Sequence, residues 1–260
     1  MVQIEEDLCI GCGKCAADCV ADNIKIEQKK AKIKSDCLLC GHCVAICPRN
    51  AVAIPEFDME DIESRENGIN SLNPDSLLHA IKSRRSIRQY KPLPVEQEKL
   101  KKLLQAGRYT ATAKNCQDCC FVFIQDKLPV FKKIVWEYID SIGRAERTRE
   151  LLPYIMFNRR RKKQPDDDFL FRNAPVVLFI ASDSPINAGL ASQNMELMAV
   201  SLGLGVLHNG YLSHIVDSCC ELKRWLGVEQ QTIQTCLLLG YPNVTYKRTT
   251  PKKSASVIWK

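Results

Sequence analysis

Apolar residues gather in three short unbroken runs, and between them they recur every three or four positions. Runs of that length predict buried strands over Cys120–Gln125, Val176–Ala181 and Thr235–Gly240. Asn73-Pro74-Asp75 predicts a helix start, with proline tolerated in the first turn and Leu77, Leu78 and Ile81 sharing one face up to about Arg84. A second helix is expected over Val95–Gly107, with Leu100, Leu103 and Leu104 together, and a third over Lys127–Ile142. A fourth, Leu190–Leu202, is apolar or small on more than one face through Ala191, Met195, Met198 and Ala199, which predicts a central position or a subunit interface. Strands alternating with helices predict an α+β or α/β sandwich over residues 74–260.

The first fifty residues follow a different pattern. Cys9, Cys12, Cys15 and Cys19, then Cys37, Cys40, Cys43 and Cys47, form two runs of C-x2-C-x2-C-x3-C. Three thiolates two residues apart wrap one face of an iron-sulfur cube, and the fourth points toward a second cube. The spacing therefore predicts two cross-ligated [4Fe-4S] clusters, one on Cys9, Cys12, Cys15 and Cys47, the other on Cys37, Cys40, Cys43 and Cys19. The halves align as a repeat in which Gly13 matches Gly41, Ala17 matches Ala45, and Ile24 and Ile26 match Val52 and Ile54. Structural zinc is the competing reading, but a third cysteine two residues on and a fourth three beyond suit a cube better. Residues 1–54 resemble the bacterial two-cluster ferredoxins. Val20 stands where that family usually has proline, a residue that shapes the turn and supplies no metal bond.

Length and charge divide the chain further. Its 260 residues suit one small and one ordinary domain, here 1–54 and 74–260, joined by a linker over 55–73. The linker holds Glu56, Asp58, Glu60, Asp61, Glu63 and Glu66 with little periodicity, and is expected to be extended. Residues 74–260 carry 29 basic and 17 acidic side chains, so the formal +7 is a basic body behind an acidic linker. Such a body suits an anionic cofactor or an acidic redox protein; no nucleic-acid recognition motif accompanies it. Met1–Leu8 is too polar for a signal peptide, and no stretch approaches the roughly twenty apolar residues of a membrane span. A reduced, soluble, cytoplasmic protein is expected. Cys116, Cys119, Cys120, Cys219, Cys220 and Cys236 repeat no ligand spacing and are expected to be bystander thiols, and Arg159–Lys163 a solvated loop.

Arg84-Arg85-Ser86-Ile87-Arg88 places three guanidiniums and a hydroxyl where they suit a phosphate dianion. With Thr112-Ala113-Lys114-Asn115-Cys116-Gln117, the Leu202–Gly205 run into His208-Asn209-Gly210, and Leu239-Gly240-Tyr241-Pro242, it resembles the FMN-dependent nitroreductase family over about residues 76–260. The resemblance implies that Arg84, Arg85, Ser86 and Arg88 hold the FMN phosphate and ring edge, and that Thr112, Ala113 and Asn115 approach FMN from a partner subunit of a homodimer. It also places the backbone amides of Leu207, His208, Asn209 and Gly210 near flavin N5, and Arg248 or Lys252 at the phosphate. Asp118-Cys119 replaces a common Pro-Trp, and Asn209 a common Glu. His208 is the candidate proton donor. The expected function is an oxidoreductase in which the clusters pass single electrons from a donor protein to FMN, for delivery to a nitroaromatic, quinone or activated alkene. NAD(P)H feeding the flavin with electrons leaving through the clusters is one alternative, and a non-catalytic relay or redox sensor another.

Overall fold

A computed structural model describes residues 1–64, 72–142 and 151–260. Packing separates two units: Met1–Ser71 with Thr112–Cys116, and Leu72–Ala111 with Gln117–Lys260. Glu66, in the linker expected over 55–73, lies outside the described residues.

The first unit is built on the internal repeat. Strands β1 (Gln3–Ile4) and β4 (Val52–Ala53) pair antiparallel, with Gln3 opposite Ala53, and β2 (Ile24–Glu27) pairs β3 (Lys30–Ile33). Gln28 and Lys29 both take positive φ, as the tight turn between β2 and β3 requires. Two short helices, α1 (Lys14–Ala17) and α2 (His42–Ile46), begin after Gly13 and Gly41, whose φ angles of 78° and 77° show the repeat in the backbone. The core between these elements consists of Val2, Ile24, Ala31, Val52 and Ile54 with Cys15 and Cys43. Buried Asn23 fastens the return stretch, donating to the Ser35 and Asp36 carbonyls and accepting from the Ser35 amide. The acidic segment that follows is not wholly extended, because Met59–Asp61 forms one 3-10 turn capped by Asp58.

The second unit is a three-layer sandwich around an antiparallel sheet. Strands β5 (Cys120–Ile124), β6 (Val176–Ala181), β7 (Gly205–His208) and β8 (Ile233–Gly240) lie in the order β5-β6-β8-β7. Every residue of β6 is buried, which explains its unbroken apolar run. Val177, Phe179 and Ala181 enter the core shared with α5 (Leu128–Ile142), α8 (Gly210–Asp217) and α9 (Cys220–Leu226). Val176, Leu178 and Ile180 face α4 (Gln97–Arg108) and α7 (Pro185–Ser201).

One expectation changes on this framework. Arg159–Lys163 is not a loop but the last turns of α6 (Leu152–Lys163), where basic side chains suit the negative end of the helix dipole. Those side chains are also paired, Arg161 and Lys162 with Asp140 and Arg160 with Asp167. Helix α3 (Pro74–Ser83) forms as expected, capped by Asn73 on the Ser76 amide, yet none of its residues is buried and Leu77, Leu78 and Ile81 are exposed. Helix α7 buries one face only, with Ile186 and Leu190 open on the other. Among the described residues no helix is long and apolar enough to cross a membrane.

Candidate functional site

Cys9, Cys12, Cys15 and the distant Cys47 line a single cavity in the first unit, with Gly11 and Ala31 among its walls. Gly11 has φ +63°, and a Cβ there would lie 2.2 Å from the Lys29 carbonyl oxygen, so only glycine lets this cysteine loop cross the β2–β3 turn. Backbone amides point at the sulfurs: Ala31 N–H donates to Cys9 Sγ at 3.4 Å, Ala51 to Cys47 at 3.3 Å, Leu39 to Cys37 at 3.3 Å and Asn23 to Cys19 at 3.3 Å. Such donors favour the thiolate, and the Ala31 amide holds the Cys9 thiol below its ordinary value. Burial works the other way at the centre, raising Cys15 and pushing Cys43 up to about 11. A bound cationic centre offsets that cost when it draws the proton off. Among the described residues, no three His, Cys, Asp or Glu side chains come close enough to hold a single metal ion. Four cysteines around one cavity, at this spacing, suit an iron-sulfur cluster held by four thiolates.

The arginine segment of the second unit lies along the edge of the sheet. Ser86 bridges Val206 in parallel register, and the Ile87 amide donates to the Val206 carbonyl at 2.9 Å. Gly205 makes this approach possible, since a Cβ there would lie 2.4 Å from Ile87 Cγ1. The buried Tyr90 hydroxyl lies 2.9 Å from the Ile87 carbonyl and 3.0 Å from that of Leu238, tying the segment to β8. Ahead of β7, α7 ends in a Schellman turn: Leu204 N–H donates to Ala199 O, Gly203 N–H to Val200 O, and Gly203 takes φ 74°.

Arg84 and Arg85 line a cavity of about 270 Å³ with Ser83, Glu196 and Tyr246. Arg85 donates from Nη1 to the Arg84 carbonyl, while its Nε and Nη2 are buried without a partner. Arg85 thus carries two orphaned guanidinium donors and lines a cavity, a combination that fits the FMN phosphate as their acceptor. Glu196, on α7 and almost wholly buried, accepts from Arg84 Nη1 at 3.0 Å and lies 3.7 Å from His208 Nε2. Burial acts to raise this carboxyl, but the His208 contact and the Arg84 charge together hold it below the ordinary carboxylate value. Nothing in the sequence singled this group out, because one glutamate in a helix of small residues reads as a solvated position.

Arg88, Leu207, His208, Asn209 and Gly210 converge on a second cavity of about 520 Å³. Leu207 and His208 end β7, and Asn209 caps α8, accepting from the Leu212 amide and donating to the Leu170 carbonyl. The Asn209 backbone N–H is already spent on the Cys236 carbonyl at 2.8 Å and is not free for the role expected of it at flavin N5. Ser86 lines neither cavity. Thr112, Ala113 and Asn115 pack with the first unit, where Asn115 Nδ2 donates to the Leu39 carbonyl at 2.8 Å. Arg248 and Lys252 are exposed and line neither cavity, although Tyr246 of the same irregular stretch lines the smaller one. Cys219 and Cys236 are core residues, as expected of bystander thiols. The remaining walls of the larger cavity, Phe169 and Arg172 among them, were not anticipated.

An antiparallel three-layer sandwich with this arginine segment at its edge defines a nitroreductase-type oxidoreductase. The chain belongs to the nitroreductase family, whose model matches residues 81–241, and residues 1–48 match the 4Fe-4S dicluster domain. A Methanothermobacter thermautotrophicus protein, provisionally named NADH dehydrogenase/NAD(P)H nitroreductase, is 26% identical over 176 residues, 64% of this chain and 77% of that protein. One component of an ion-translocating oxidoreductase complex from Methanosarcina acetivorans is 45% identical over 47 residues, 18% of each chain. The crystal structure of a Bacteroides fragilis nitroreductase with bound FMN shares the fold at a TM-score of 0.58 and 21% identity, covering 73% of this chain and all of that one. Both resemblances read from the sequence are thus borne out.

Proposed function

We propose that this chain is a flavin-dependent oxidoreductase in which two [4Fe-4S] clusters, held by the eight N-terminal cysteines, exchange single electrons with FMN for the reduction of a nitroaromatic, quinone or activated alkene. The observation that carries the reading is the pair of orphaned Arg85 donors on a residue that lines one cavity, with Arg88 and residues 207–210 lining another. When bound, FMN supplies a carrier able to take electrons singly and release them in pairs. The chain's own part is to hold and orient. Arg84 and Arg85 grip the phosphate, Glu196 fixes Arg84, and Arg88 with Leu207, His208 and Gly210 borders the ring.

For a quinone, the acceptor gains two electrons and two protons and leaves as a hydroquinone; for a nitro group the same input gives a nitroso compound and water. His208 is exposed at the mouth of this cavity and in contact with Glu196, a position from which an imidazolium can pass a proton to the acceptor. The donor is an acidic redox protein entering through the clusters, and the working unit a homodimer. The exposed apolar stripe of α3 supports the second of these.

Anaerobic stopped-flow mixing separates the routes. Reduced ferredoxin is expected to bleach the flavin band in the full chain but not in a variant with serine at Cys9, Cys12, Cys15 and Cys47. Full-rate flavin bleaching of that variant by NADH would show entry at the flavin instead, and absence of any FMN band after reconstitution would end the flavin reading.

A further inference from the structure

The larger cavity has a wall that the flavin resemblance does not call for. The rings of Tyr154, Phe169 and Tyr211 form it, with Arg172 and His214 between them. Among the described residues, no Asp or Glu lines the cavity. The two carboxylates next to Phe169 in sequence face other cations, Asp167 at 2.5 Å from Arg160 and Asp168 at 2.5 Å from Lys132.

Arg172 is different. Among the described residues it has no carboxylate within ion-pairing distance, and its guanidinium rests on the Phe169 ring, 3.9 Å from the centroid, with Arg160 over the same ring at 4.4 Å. Its backbone is held in the left-handed region at φ 56°, as is Asn173 at 53°. That posture is fixed by hydrogen bonds, the Arg172 amide donating to the Asp168 carbonyl at 2.5 Å and the Asn173 amide to Asp168 Oδ2 at 3.2 Å. Burial and the nearby charges of Arg160 and Arg88 lower its proton affinity, and the more weakly felt charges of Asp167 and Asp168, each paired with another cation, act in the opposite direction. A planar fork of donors kept in place on an aromatic face matches a carboxylate bidentately.

We propose that Arg172 recognises a carboxylate on the electron acceptor, so that the substrate class is planar, aromatic or quinoid anions. The inference rests on the function proposed above and narrows it. The aromatic rings supply flat apolar contact, and Arg172 fixes the anionic end.

The test uses the full chain loaded with FMN and clusters, reduced anaerobically, with 4-nitrobenzoate against its neutral counterpart 4-nitrobenzamide. Arg172→Gln is expected to lower the ratio of kcat/KM for nitrobenzoate over nitrobenzamide about tenfold or more, the size of one charge-assisted hydrogen-bonding pair, with partial recovery in Arg172→Lys. A ratio that does not move in Arg172→Gln, with FMN absorbance and tryptophan-monitored unfolding as in the parent, overturns the proposal. Calorimetric titration of benzoate and benzamide into the oxidised FMN-loaded protein is the readout that does not depend on turnover. If neither nitro compound is reduced while benzoate still binds through Arg172, the enzymatic reading fails and the anion site stands; reduction of both without charge preference has the opposite meaning.

Discussion

Glu196 is a carboxylate placed where the sandwich would otherwise be apolar, and its ionised form is sustained by Arg84 and the His208 contact. Glu196→Gln is expected to cost the second unit about 2 kcal/mol at pH 7, since it removes one partner of a largely buried pair. A carboxyl whose folded value is depressed adds stability above its unfolded value of about 4.3 and gives it up as pH falls through the folded value. The gap between parent and variant should therefore hold near neutrality and close in acid. Urea unfolding followed by tryptophan emission measures it for this unit alone, because Trp136, Trp225 and Trp259 all lie there. A gap unchanged at pH 3 refutes an ionic origin. Arg85 makes a paired prediction. With two buried donors unpaired, Arg85→Leu is expected to weaken FMN binding about tenfold to a hundredfold in a fluorescence titration while leaving the apoprotein no less stable. The cysteine runs and the arginine segment were legible because their chemistry is written in adjacent residues. Glu196 and Arg172 were not, because each acquires its meaning from partners that only the fold brings near.

At the scale of elements, the buried strands could be read directly: β6 is apolar on both faces because helices cover both. The four strands of the first unit are two to four residues long, too short for periodicity to reveal, and α6 was hidden by the basic residues that end it. Strand β7 was missed for a related reason, since its glycine and histidine break the apolar run while the Ile87 contact demands that glycine. The cysteine loop offers the sharpest test at this scale. Gly11→Ala needs both an unfavourable φ and a displaced Lys29 carbonyl, so the variant is expected to reconstitute with about four irons per chain, not eight, by iron and acid-labile sulfide assay. Full iron content with an unaltered visible spectrum contradicts it.

At the scale of the whole molecule, several apolar side chains lack cover. Leu77, Leu78 and Ile81 on α3, Ile186 and Leu190 on α7, and Val257, Ile258 and Trp259 near the end of the sequence are all exposed. Surfaces of this kind mark association sites, and a second copy of the chain is the occupant that the proposed function requires. The double variant Leu78→Glu, Ile81→Glu is expected to elute as a monomer in size-exclusion chromatography with light scattering. Its tryptophan-monitored unfolding should stay within about 1 kcal/mol of the parent, since Leu78 and Ile81 are both exposed and no α3 residue belongs to the core. A variant that remains dimeric places the interface elsewhere.

The cavity shared by Cys9, Cys12, Cys15 and Cys47 also bears on how the protein is made. During synthesis the first three of those residues leave the ribosome well before the fourth, and β1 has no strand to pair with until Val52 and Ala53 follow. A nascent chain cannot close either the cysteine cage or the sheet at its mouth until nearly the whole unit is out. Metal loading and folding of this segment are thereby one late event, and the half-made segment offers a scavenging iron donor only an open, three-thiol cup.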